Sequence, residues 1–238
     1  MTKDRVRRVR LTPEQIQHEL ALTAATLPIL DLMGGLFDDS KMFRSYGRFR
    51  SAGFSLADHS PQKMMAGTHK RAPGYVFKKF SDAKSGDEQL LNYMRRIEGS
   101  RLIAQFIAER GFLSVTVPRK WLYQLAPEFP ERYLVVAQRM DILSRIDTVR
   151  RYRSIGRGQM RELAAILYYF RGLNSTASNL PFTEDGRIAF IDTERWYRDK
   201  DLLRKVGDFL PAERRADARR VFRELRAQGA RPFESAFR

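Results

Sequence analysis

The chain of 238 residues contains no cysteine. A disulfide framework, a thiolate metal site and a cysteine nucleophile are therefore excluded. Only three histidines occur (His18, His59 and His69), at unrelated spacings that argue against a histidine zinc centre. No uninterrupted apolar run approaches the ~20 residues of a membrane-spanning helix. Residues 21–37 come nearest, but Thr23, Thr26, Pro28 and Asp31 interrupt them. The N-terminus shows no apolar core of a secretory signal, so the expected location is cytoplasmic, with peripheral membrane association left open. Acidic residues are in deficit, 28 against 44 basic, for a net charge of +16.

What is present is enough for a folded core. Hydrophobic residues make up 43% and aromatics 11%, which excludes a disordered chain. The length suits one domain of moderate size or two small lobes. Of the basic residues 34 are arginine, the side chain best shaped for bidentate phosphate recognition. Nucleic acid, an anionic membrane surface or a phosphorylated substrate would each suit that excess, as would a merely solvated basic surface.

Along the chain, Thr12-Pro13-Glu14 marks a helix start, and a helix is predicted from Pro13 to Leu27. Residues 38–72 read as loops with one or two strands. Gly74–Phe80 is β-prone, and residues 87–110 carry helical spacing through Leu90, Leu91, Met94, Ile97, Leu102, Phe106 and Ile107. Strands are predicted over Val115–Leu125 and Glu131–Met140. A helix over Gln159–Phe170 is expected to close on Gly172 as its C-cap. A loop over Leu173–Leu180 then leads to a Glu184-Asp185-Gly186 turn, read as a turn only, and a strand over Arg187–Ile191. The last helix, Pro211–Gln228, puts Val221, Phe222 and Leu225 on one side and Arg214, Arg215, Arg219 and Arg223 on the other, a solvated face. Trp121 and Trp196 are expected in the core, and His69 on the surface. The pattern indicates an α+β fold of two unequal lobes.

Residues 173–192 carry the chemistry. Leu173-Asn-Ser-Thr-Ala-Ser-Asn179, followed by Asp185-Gly-Arg-Ile-Ala-Phe-Ile-Asp192, resembles the protein-kinase-like superfamily, in particular its aminoglycoside-phosphotransferase and lipopolysaccharide-kinase branches. The resemblance covers roughly residues 74–196 and lies in ordered spacing. It implies a two-lobed kinase-like fold: residues 1–72 as a basic, helical extension and the start of the N-lobe, 73–140 as the N-lobe, and 141–238 as a reduced helical C-lobe. It implies Mg²⁺ ligation by Asn179 and Asp192, ATP phosphate binding by Lys78, and a glutamate partner for that lysine at Glu98, with Glu88 as runner-up. Val76 would flank the adenine, and Gln138 and Met140 would belong to the hinge that holds it. Strand periodicity independently sets Val76 and Lys78 on one face and Lys79 on the other.

The sequence also departs from that pattern. Asn174 stands where the family has its catalytic aspartate, and an amide cannot accept a proton as a carboxylate does. No G-x-G-x-x-G precedes Lys78, and Thr193-Glu-Arg-Trp196 follows Asp192 where the protein kinases continue with Phe-Gly. Glu194 is the nearest spare carboxylate. Three readings follow: an atypical phosphotransferase acting on an anionic acceptor, a pseudokinase that binds a partner such as an acidic protein or a membrane surface, and an arginine-rich nucleic-acid-binding protein. No helix-turn-helix or aromatic RNA-stacking pattern supports the third.

Overall fold

A computed structural model describes residues 11–56, 64–80, 86–194 and 207–233. Helix α1 (Pro13–Thr26) begins where the sequence places it: Thr12 Oγ1 accepts from the Gln15 N–H at 3.3 Å, and the Gln15 side chain accepts from the Thr12 N–H at 2.9 Å. This reciprocal capping box satisfies two otherwise orphaned donors. Short helices α2 (Leu30–Met33) and α3 (Tyr46–Ser51) follow, the latter capped by Ser45 and unforeseen in the sequence. Among the described residues no single helix is long and apolar enough to cross a membrane. One pair, α1 with Leu30–Leu36, is long and apolar enough when taken together, but it is bent by 106°.

Strands β1 (Phe54–Leu56), β2 (Met64–His69) and β3 (Ala72–Phe80) lead into the 25-residue helix α4 (Gly86–Arg110). Then come β4 (Val115–Thr116), β5 (Lys120–Gln124), β6 (Tyr133–Gln138), α5 (Arg145–Arg153), α6 (Arg157–Tyr169), β7 (Ile188–Ala189) and α7 (Ala212–Ala227). The result is a mixed α+β structure with one five-stranded antiparallel sheet, ordered β1-β2-β3-β6-β5. The single strand expected over Val115–Leu125 is two. Pro118 has no N–H to donate to a ladder, and on either side of it β4 pairs in parallel with β7 while β5 pairs with β6.

Three apolar clusters fill the molecule. On one face of the sheet Phe37, Phe43, Phe49, Phe54 and Phe77 pack with Trp121; Phe49 and Phe54 stack at 4.3 Å between ring centroids. On the other face Leu90, Tyr93, Met94 and Ile97 of α4 cover Leu122 and Val135. The third cluster joins Ile103 and Phe106, the C-terminal half of α4, to Tyr152, Leu163, Leu167, Phe182 and Phe190. Helix α4 is thus shared between the sheet and the helical half.

Several local expectations are corrected. His69 is buried, not on the surface; its Nδ1 accepts from the Arg71 N–H at 3.1 Å. Gly172 has no positive φ, and Phe170 occupies the C-cap of α6 with its ring fully buried. Residues 145–153, unassigned from sequence, form α5 because Ser144 caps them by accepting from the Asp147 N–H at 3.1 Å. On α7, Arg214 turns inward to Asp217 (2.9 Å) and to the Ile155 carbonyl (2.9 Å), away from the solvated face. Arg215, Arg219 and Arg223 are exposed as expected. Trp121 lies in the core as expected, its Nε1 donating to Thr26 Oγ1 at 3.0 Å; Trp196 lies outside the described residues.

Gly67, in the centre of β2, is required by space. A Cβ there would meet Phe49 Cε1 and the Ser55 carbonyl oxygen, each at 2.8 Å, and the second is backbone that cannot rotate away. Gly74 would meet nothing within 4 Å. Gly67→Ala is expected to cost about 1–3 kcal/mol of unfolding free energy through overpacking. Gly74→Ala is expected to be neutral or to stabilise by up to about 1 kcal/mol. Urea denaturation of both variants checks this, and equal losses would refute the packing account.

Candidate functional site

Alternation along β3 sends Val76 and Lys78 to one side of the sheet and Lys79 to the other. There Lys79 is buried with its Nζ 4.8 Å from the Phe43 ring centroid. The β3–β6 register sets Val76 opposite Ala137 and Lys78 opposite Val135. The chain leaving β6 therefore passes directly beside Val76. A cleft of about 590 Å³ opens here. Its sheet side is Met64, Ala66, Val76, Lys78 and Ala137; residues 138–140 and 142–145 form its rim; Asn174, Asn179 and Asp192 lie on the helical side.

Of the residues nominated by sequence, Val76, Lys78, Gln138, Met140, Asn174, Asn179 and Asp192 all line this cleft. Glu98 does not. It is buried on α4, and Glu88 is exposed. Arg96 lines the cleft instead. Residues two apart on a helix point about 200° from one another, so Arg96 and Glu98 cannot both face Lys78.

The loop bearing Asn174 and Asn179 is fixed from below. Tyr152 Oη, fully buried, donates to the Leu180 carbonyl at 2.8 Å, and the Phe182 N–H reaches Thr148 Oγ1 at 3.3 Å. The Ile191 N–H donates to the Asn179 carbonyl at 3.2 Å, placing Asn179 beside the residue before Asp192. At the rim, the N–H groups of Gln138 and Arg139 are already used, by the Arg119 and Gly74 carbonyls at 2.9 and 2.8 Å.

The electrostatics centre on Arg96. Its Nη1 donates to Asp192 Oδ1 at 2.6 Å and its Nη2 to Glu194 Oε2, while its buried Nε–H meets no acceptor among the described residues. Behind it, Lys120 Nζ donates to Thr193 Oγ1 at 2.7 Å, and that hydroxyl donates to the Arg96 carbonyl at 2.6 Å. Burial and the neighbouring Arg96 lower Lys78 to about 8, against the pull of Asp192. Burial, then Lys78, push Lys120 well below the ordinary lysine range. Burial by itself would raise Asp192, but Arg96, Lys78 and Lys120 outweigh it and hold the carboxyl at about 2.

Periodicity contained the signal for the two basic residues missed. Tyr93, Arg96, Ser100 and Ile103 form one buried helical stripe, and a cation inside such a stripe needs partners. Lys120 alternates with Trp121 and so shares the inward face of Leu122.

The donor set does not fit a divalent cation well. Among the described residues no group of three or more Asp, Glu, His or Cys side chains converges on one point. Asn179 and Asp192 share the cleft, yet the Asp192 charge that a hard cation would require is already matched by Arg96, with Lys78 and Lys120 close by.

No protein-family model and no curated protein matches the chain. Among solved structures, a MAP kinase from Leishmania major is similar at 10% identity and a TM-score of 0.31, over 83% of this chain and 76% of that one. A likeness that low sets neither family nor activity.

The depressed Asp192 carboxyl makes an acid-stability prediction. Its folded value of about 2 lies below the ordinary 3.8. Its contribution is therefore complete above about pH 4 and is lost as pH falls towards 2. Urea midpoints measured from pH 5 to pH 2.5 should fall more steeply for the natural protein than for Asp192→Asn; parallel curves would contradict it.

Proposed function

We propose that the protein is a kinase-like nucleotide-binding protein that takes ATP into this cleft and acts as an atypical phosphotransferase on an anionic acceptor. The observation that supports the reading is convergence: seven residues spread from 76 to 192, nominated by the family resemblance, line one cleft. In this reading the sheet with α4 is the N-lobe, residues 141–238 are the helical C-lobe, and the chain crosses between them at residues 138–141.

The chemistry of the walls divides accordingly. Met64, Ala66, Val76 and Ala137 offer an apolar slot for a base, and Gln138–Met140 form its edge. Lys78 and Arg96 offer charge-assisted donors to phosphates at the far end. Arg139 and Arg145, exposed where the cleft opens, favour an acceptor that is itself anionic. Asn174 would hydrogen-bond an acceptor hydroxyl but cannot take its proton. Phosphoryl transfer through a loose transition state relies on positioning and charge more than on a strong base.

A second reading has its own observation. Asn174 at the base position, together with Arg96 on Asp192, favours a pseudokinase whose nucleotide stabilises a surface for a partner.

ATP is expected to raise the melting temperature in a concentration-dependent way. Lys78→Ala should weaken ATP binding by about tenfold or more, the loss of one charge-assisted contact. Lys79→Ala should leave affinity unchanged although it disturbs the core. Loss with Lys79 and not with Lys78 would reject the site. Transfer of labelled γ-phosphate by the natural protein supports the phosphotransferase, whereas transfer gained only in Asn174→Asp supports the pseudokinase.

A further inference from the structure

The resemblance to kinases carries an expectation of Mg²⁺, and the cleft is charged against it. Arg96 is 93% buried and takes the cleft-facing position that a glutamate was expected to hold. It meets Asp192 and Glu194, Lys78 lines the same wall, and Lys120 stands behind through Thr193. Of the residues that line the cleft, Lys78, Arg96, Arg139 and Arg145 are basic and Asp192 alone is acidic. A dication placed there would meet excess positive charge at short range and would compete with a guanidinium 2.6 Å from its ligand oxygen. A polyphosphate would meet the opposite.

The arginine is also poised to exchange partners. A guanidinium presents five donors in a planar fork suited equally to carboxylate and phosphate. The buried Nε–H of Arg96 has no acceptor among the described residues, so its donor set is not fully used. Asp192 and Glu194 then serve as internal anions that hold Arg96 in place until phosphate oxygens arrive.

We propose that this cleft binds its polyphosphate-bearing ligand without a divalent metal, Lys78 and Arg96, with Arg139 and Arg145 at the mouth, supplying the counter-charge that a metal would bring. The inference rests on the nucleotide reading for the identity of the ligand and not for its phosphate chemistry.

The test titrates the full chain with ATP and, separately, with inorganic tripolyphosphate by calorimetry, once in EDTA and once in excess Mg²⁺. Binding in EDTA is expected, with Mg²⁺ tightening it by less than about fivefold. Asp192→Asn should bind at least as tightly in EDTA, because one internal competitor for Arg96 is removed. Arg96→Gln should lose about tenfold or more. Should that variant fail to fold by circular dichroism, the natural protein and Asp192→Asn decide the matter. Binding of both ligands that requires Mg²⁺, or that Asp192→Asn abolishes, overturns the proposal and leaves the nucleotide reading standing. Tripolyphosphate bound in EDTA with no binding of ATP upholds the proposal and removes the nucleotide reading. Binding of neither ligand under either condition removes both.

Discussion

The molecule depends on one buried ionic knot. Arg96 in the middle of α4 reaches forward almost a hundred residues to Asp192 and Glu194, and Thr193 between them closes onto the Arg96 backbone. The knot ties the helix that backs the sheet to the loop that leaves β7. Desolvating an arginine is costly, and Arg96 is the buried member of the group while Asp192 and Glu194 are partly exposed. Here two carboxylates share the arginine, and Lys120 braces the hydroxyl between them.

Around that knot the apolar packing is divided. The N-terminal half of α4 belongs to the sheet's cluster, and its C-terminal half to the helical cluster. One helix therefore transmits any displacement of the knot to both halves, in keeping with the close packing of protein interiors. The segment from Leu27 to Phe54 is equally structural: Phe37, Phe43, Phe49 and Phe54 join the cluster on the sheet's far face, and Lys79 lies over Phe43. The basic surplus sits outside both cores. On α7, Asp217 and Glu224 turn inward to Arg157 (3.5 Å) and Arg161 (3.2 Å) of α6, which leaves Arg215, Arg219, Arg223 and Arg226 exposed.

Much of this was legible in the sequence where a period or a cap had a physical cause. The helix start at Thr12-Pro13-Glu14, the alternation that separates Lys78 from Lys79, and the apolar spacing of α4 each predicted what the structure has. The α+β class followed from the order of strands and helices along the chain, and the nomination of Val76, Lys78, Gln138, Met140, Asn174, Asn179 and Asp192 from the family resemblance. Other features depended on contacts between distant residues. The break at Pro118 was misread because local propensity cannot say that β4 will find β7 more than seventy residues later. Glu98, with Glu88 as runner-up, follows from the glutamate that the resemblance implies, whereas the helix phase of Tyr93 and Ser100 favours Arg96. Short α3 and the arginine-rich α5 carry too little apolar signal to announce themselves, and their serine caps were overlooked.

The sheet's borders carry a consequence for solubility. An open sheet offers unpaired backbone groups along its outer strands, and such edges recruit further strands from other molecules. Here β1, at one border, is three residues long, and β5, at the other, packs against α1 with Trp121 bonded to Thr26. The N-terminal helix therefore acts as a guard against edge-to-edge growth, and a chain that lost it would present Lys120–Gln124 as a bare template for self-association.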